Sequence, residues 1–224
     1  VWLHQAVDFF LHLDKYLGGI IQTYGTLTYL ILFLVIFCET GLVVTPILPG
    51  DSLLFAAGTF AGLHALNILV LYPLVIAAAL AGDNANYWIG RVLGPNVFRK
   101  KTGKLFNKKY LDRTHAFYKQ YGVMAILLGQ FIPIIRTFVP FVAGIGRMNY
   151  GVFAGFNLAA VLAWTTLFTW GGYFFGNQPW VHGHFHYVVL GIIFVSILPI
   201  IYEAGKALRK GAPQKKRRAF SKSR

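Results

Sequence analysis

Two stretches of this chain are apolar enough for a bilayer and yet broken in the middle. Residues 39–62 contain TPILPGD (45–51), and residues 129–144 read GQFIPIIRTFVPFVAG. Both place prolines and a charge where a membrane-crossing helix should be unbroken. Inside the hydrocarbon core no water is present, so every backbone N–H and C=O needs a partner within the protein. Proline removes one donor and clashes with the preceding turn. Broken backbone is tolerated at that depth only where protein or a water-filled cavity covers it.

Split at Pro46–Gly50, residues 39–62 give two arms of roughly ten residues, or about 15 Å of helix. That is half of a hydrocarbon core about 30 Å thick. Each arm can enter and return, and neither can cross, which describes a re-entrant hairpin. A kinked full span is the alternative. Around the breaks, the expected spans are 24–38, 66–90, 150–176 and 186–203, with a short loop at 177–184. Residues 2–17 put Leu3, Val7, Phe10, Leu11, Leu13 and Leu17 near one helical face. This predicts an amphipathic interfacial helix within 1–22. A single all-α transmembrane domain over 23–205 and a basic cytoplasmic tail over 206–224 complete the expected organisation.

Composition agrees with a membrane protein: 56% of residues are apolar and 12% charged, against about 25% charged in soluble domains. The net charge of +14 is concentrated in residues 91–119 and in the tail from Lys206. Basic runs beside apolar spans mark the cytoplasmic side, so no nucleic-acid partner is needed to explain them. The tail's KKRR (215–218) can also attract anionic headgroups. Cys38 is the sole cysteine, so no internal disulfide forms. HGHFH (182–186) would bind a metal only if its histidines converged. Solvated loop histidines are the expectation, with no metal and no cofactor.

A shift of 86 residues lays FAAG (55–58) on FVAG (141–144) and NYWIG (86–90) on GYFFG (172–176). Two repeats follow, about 39–91 and 125–177. Each holds one hairpin and one span, so its number of crossings is odd and the second repeat must be inverted. Inverted repeats with broken elements near the midplane are a transporter architecture, with the binding site expected at the breaks. If 91–119 and the tail are both cytoplasmic, the two spans between them fit, and both termini face the cytoplasm.

Under the same shift Asp51 aligns with Thr137, next to Arg136, so an acid at one break faces a base at the other. Charges at this depth face an interior cavity and usually have partners. Arg136 can fork two hydrogen bonds to a phosphate or carboxylate. Glu39 opens the first hairpin, and Glu39 or Asp51 could bind and release a proton. A static Asp51–Arg136 ion pair is the structural alternative. Asp83, in GDNANYWIGR (82–91), could pair with Arg91 or the backbone, or belong to the cavity.

The set ETGLVVTPILPGDSLLFAAG (39–58), GDNANYWIGR (82–91) and the Phe-x-Pro-x-x-Arg-x-x-x-Pro-x-x-Ala-Gly run (131–144) resembles the bacterial DedA family, within the VTT-domain superfamily. The resemblance covers about residues 25–205. It implies an inner-membrane protein with two facing re-entrant hairpins. It also implies movement of undecaprenyl phosphate or phospholipid headgroups, dependence on the proton-motive force, and a role in envelope integrity. The family's essential acids match Glu39 and Asp51, and its arginines match Arg136 and, usually, position 130. Here position 130 is Gln130, whose amide makes only neutral hydrogen bonds. The expected function is a proton-coupled lipid-phosphate transporter with Arg136, Gln130 and Asp51 at the substrate. A proton-coupled exporter of small organic cations is the alternative. An enzyme is not expected, since neither a paired Arg/His/Asp phosphatase spacing nor Gly-x-Ser-x-Gly occurs.

Overall fold

A computed structural model describes residues 13–42, 50–99 and 124–176, with Gln178, Tyr187 and Gly191 besides. Several expectations fall outside these residues: the amphipathic segment before Leu13, the prolines at 46 and 49, the basic run from 100 to 123, the 182–186 histidines, the bulk of the 186–203 span and the tail. The described residues are all-helical.

Helix α1 (Leu13–Tyr24) buries Leu13 and Leu17, and Gly18 sits against the ring of Phe60. The chain turns at Gly25, in the left-handed region with φ +52°, which glycine enters freely. Helix α2 (Leu27–Gly41) follows. It runs unbroken through residues 38 and 39, where the sequence suggested a boundary between span and hairpin. Leu42 is extended (φ −103°, ψ 113°), so the first hairpin arm is not ten helical residues starting at Glu39. Helix α3 (Gly50–Gly62) resumes after the undescribed link.

Helix α4 (Ile68–Arg99) contains a stretch, Ile68–Leu93, long and apolar enough to cross a membrane. Helices α5 (Met124–Gly129) and α6 (Pro133–Ile145) flank the second break. The interruption lies at Gln130–Ile132 rather than across Pro133–Pro140. Pro133 opens α6, where a missing N–H costs nothing. Pro140 lies inside the helix and cannot donate to the carbonyl of Arg136. Helix α7 (Tyr150–Thr165) passes through a π-helical turn (Thr166–Trp170) into α8 (Gly171–Phe175). Together they form the second stretch of crossing length, Tyr150–Phe175. At thirteen residues each, α3 and α6 reach about 20 Å, short of the core.

The short helices pack on long ones from the other half of the sequence. Helix α3 lies mainly along the π turn and α8, while α6 lies along α4. Glycine makes both approaches close. Gly58 rests against the backbone at Thr169 and Tyr173, and Gly172 against Phe55. In the same way Gly144 rests against Tyr87 and Arg91, and Gly90 against Phe141. Gly58 and Gly144 correspond under the 86-residue shift, as do Tyr87 and Tyr173. Small residues let membrane helices meet backbone to backbone. The core between them is apolar, from Leu32, Ile36, Leu54, Val75 and Trp164 to a second group around Tyr87, Val139 and Phe153.

Candidate functional site

The helical repeat brings the polar residues inward. On α2 the buried stripe runs Leu32, Ile36, Glu39, Thr40. On α4 it includes Leu71, Val75, Ala79, Asp83, Asn86 and Tyr87, and on α7 Phe153, Asn157, Val161 and Trp164. Spacings of three and four residues keep each set on one face.

Arg136 sits where these stripes meet and is only 2% exposed. Its Nη2 donates to Glu39 Oε1 in a short ion pair. Its Nη1 donates to Asp51 Oδ1 at 3.2 Å. The same oxygen accepts from Trp164 Nε1 at 2.8 Å. The guanidinium lies over the Trp164 ring, 4.5 Å from its centroid, a cation–π contact in a dry setting. Arg136 is therefore held by four elements: its own α6, the end of α2, the first turn of α3 and the last turn of α7. Asp51 suits its place, since an acid in the first turn of a helix faces the positive end of the dipole. Gly50 lies so close to the Glu39 carboxylate that no Cβ fits there.

The cluster keeps unused hydrogen-bonding capacity. Arg136 Nε and Glu39 Oε2 make no hydrogen bond. Asn86 Nδ2 ties the surrounding helices together, donating to Thr137 O at 2.6 Å and Thr40 O at 3.3 Å. Asp83 is fully buried and faces the Asn157 amide, although neither side chain makes a well-formed hydrogen bond. Gln130, at the second break, is buried with its Nε2 unbonded.

Of the residues singled out in the sequence, Glu39, Asp51 and Arg136 are in direct contact. Gln130 makes no side-chain hydrogen bond to them. Asp83 is not paired with Arg91, which lies two helical turns further on and whose Nη1 donates instead to Tyr87 Oη at 2.6 Å. Trp164, Asn86 and Asn157 were missed. Asn157 gave a signal: a carboxamide in an apolar helix is costly unless it faces an interior. Trp164 lies seven residues on, along the same face. Among the described residues no group of three metal-ligating side chains converges.

Apolar helices of crossing length, closed around a buried ionic cluster, define a helical membrane protein with an internal polar site. Residues 48–174 match the VTT domain. The chain belongs to the DedA family of VTT-domain membrane proteins. It is 48% identical to Protein DedA of Escherichia coli over 212 residues, 94% of this chain and 97% of the relative. It is 43% identical over 187 residues to the uncharacterized membrane protein Rv0364 of Mycobacterium tuberculosis, with 82% of each covered. With the inner membrane protein YghB of Salmonella typhimurium it shares 33% identity over 175 residues, 78% of each chain. No solved structure matches the chain.

Proposed function

We propose that the protein is a transporter that carries a lipid phosphate across the bacterial inner membrane, undecaprenyl phosphate first among the candidates, coupled to protons, and so supports the envelope. One observation carries the reading: a sealed guanidinium is shared by two carboxylates from separate segments and still has an unbonded Nε edge. Each carboxylate can give up Arg136 by taking a proton. The freed fork then matches a phosphate, which accepts two parallel hydrogen bonds. Loss of the phosphate returns Arg136 to the acids and releases their protons. The lipid tail stays in the bilayer throughout, so only the headgroup needs a polar path. Glu39 and Asp51 carry protons in this scheme, Asp51 and Gln130 border the headgroup, and Asp83 adds polarity to the cavity.

Two re-entrant hairpins in an inverted repeat suit this task, and the exchange of glycine contacts between the halves supports that architecture. Such repeats expose a central site to either side in turn. The charge distribution supports cytoplasmic termini.

A second reading, export of small organic cations, draws on the excess of buried acid: Glu39, Asp51 and Asp83 against Arg136. Trp164 is the aromatic wall such a site would use, although Arg136 covers its face. Purified protein in liposomes separates the two. With an imposed proton gradient, a fluorescent polyprenyl phosphate should change leaflets only when the protein is present, and Arg136→Lys should fail because it loses the fork. Dye efflux without lipid-phosphate movement would establish the second reading instead.

A further inference from the structure

Another polar feature lies away from the buried cluster. Arg91 follows Asp83 by two helical turns, about 12 Å along α4. With the cluster near mid-bilayer, this depth approaches the edge of a hydrocarbon core about 30 Å thick, where lipid phosphates lie. Trp88 and Tyr150 are partly exposed here, 48% and 40%, as aromatic residues at a membrane interface are.

A groove of about 430 Å³ opens at this point between Trp88 and Arg91 of α4 and the turn joining α6 to α7. Arg91, Arg147, Trp88, Asn149 and Tyr150 line it, and no acid among the described residues does. Arg91 is fixed in place. Its Nη1 donates to Tyr87 Oη, which donates in turn to Met148 O at 2.6 Å. Its guanidinium lies 5.5 Å from the Trp88 ring centroid and 5.9 Å from that of Tyr87. Trp88, Tyr87 and Tyr150 pack on one another, so the cation is presented by a rigid aromatic base.

Arg147 is the second cation, and it sits at an unusual backbone position. Its φ is +52°, in the left-handed region that side chains enter at a cost. Its N–H reaches Gly144 O at 3.0 Å, and that of Met148 reaches Ala143 O at 3.0 Å, closing the end of α6. Glycine would end the helix there without strain. Arg147 is instead exposed beside Arg91 and pairs with no acid among the described residues. His64, the other described non-glycine residue with positive φ, lies outside the groove.

We propose that this groove binds the phosphate headgroup of an anionic lipid, with Arg91 as the fixed fork and Arg147 as the second cation. Arginine forks match phosphate oxygens in pairs. Trp88 and Tyr150 provide an amphipathic surface for the glycerol and first methylenes. The inference requires the chain to span a bilayer, and it stands or falls separately from transport at Arg136.

The test uses the full chain in detergent, with lipid retention read by native mass spectrometry. Phosphatidylglycerol should be retained over phosphatidylcholine of the same chain length. Arg147→Gly should lower phosphatidylglycerol retention about tenfold, the effect of one charge-assisted contact. It should leave phosphatidylcholine unchanged and the melting temperature equal or higher, since glycine relieves the backbone. Arg91→Lys should lower retention too, having kept the charge but lost the fork. Unchanged phosphatidylglycerol retention in Arg147→Gly overturns the proposal, whatever the melting temperature does. Displacement of the lipid by millimolar inorganic phosphate would reassign the groove to soluble anions and overturn the lipid.

Discussion

Arg136→Gln removes the cation between Glu39 and Asp51 and leaves both carboxylates sealed with no counter-charge. Breaking a buried pair by removing one partner costs about 3–5 kcal/mol, because the remaining charge is uncompensated. The lost stacking on Trp164 is part of that sum. For a chain of this size the cost corresponds to a melting temperature lower by roughly 6–20 °C. The triple change Glu39→Gln, Asp51→Asn, Arg136→Gln keeps the acids' shapes and removes the three charges of the ion-paired cluster. Replacing a whole buried pair with well-packed hydrophobic groups is close to neutral for stability; amides likewise carry no charge to desolvate, and the amide oxygen that Asp51→Asn leaves in place can still accept from the Trp164 indole. The triple variant should therefore regain most of the lost melting temperature while both variants fail to move lipid phosphate. Melting in detergent and leaflet exchange in proteoliposomes read the two quantities separately. Wild-type transport by the triple variant would refute the role given to the charges. An unchanged melting temperature in Arg136→Gln would show that the guanidinium is not sealed from water.

Gln130→Arg should raise lipid-phosphate affinity five- to thirty-fold, roughly the gain from a neutral to a charge-assisted hydrogen bond. Its melting temperature should stay flat or fall slightly, and unchanged affinity with altered melting would assign position 130 to packing. Asp83→Asn should melt no lower than the parent, since it removes a fully buried carboxylate that makes no ion pair with any described residue, and the amide can still meet Asn157. Asp51→Asn gives up its ion pair with Arg136 and should melt lower, so an equal fall in both variants would contradict the absence of an ion pair at Asp83.

The charge cluster was legible because lipid leaves an ion few choices. An arginine amid apolar residues needs an acid at its own depth, and the 86-residue shift put Asp51 at the right level. The two long helices were legible as well, since their length and apolarity follow from bilayer thickness. Helix phase was harder to read. Asp83 and Arg91 are two turns apart on one helix, and only the packing of neighbours shows that Asp83 faces Asn157's helix while Arg91 turns to Tyr87. Trp164 was hidden for another reason: in an apolar helix a tryptophan facing an ion reads like one facing lipid. Proline also misled at Pro140, because a helix shielded by neighbours can tolerate a missing donor. The π turn at Thr166–Trp170 has no marker in residue type at all.

The crossed glycine contacts have a consequence for how the chain is made. Thr59 and Gly172, which share a hydrogen bond, are 113 residues apart. At a synthesis rate of about 5–20 residues per second, the first short helix is made roughly 6–23 s before the backbone it packs against. During that interval its glycine face and the acid at its start lack their partners. The first half of this protein is thus complete as a chain before it can be complete as a fold, and its polar site closes only when the second half arrives.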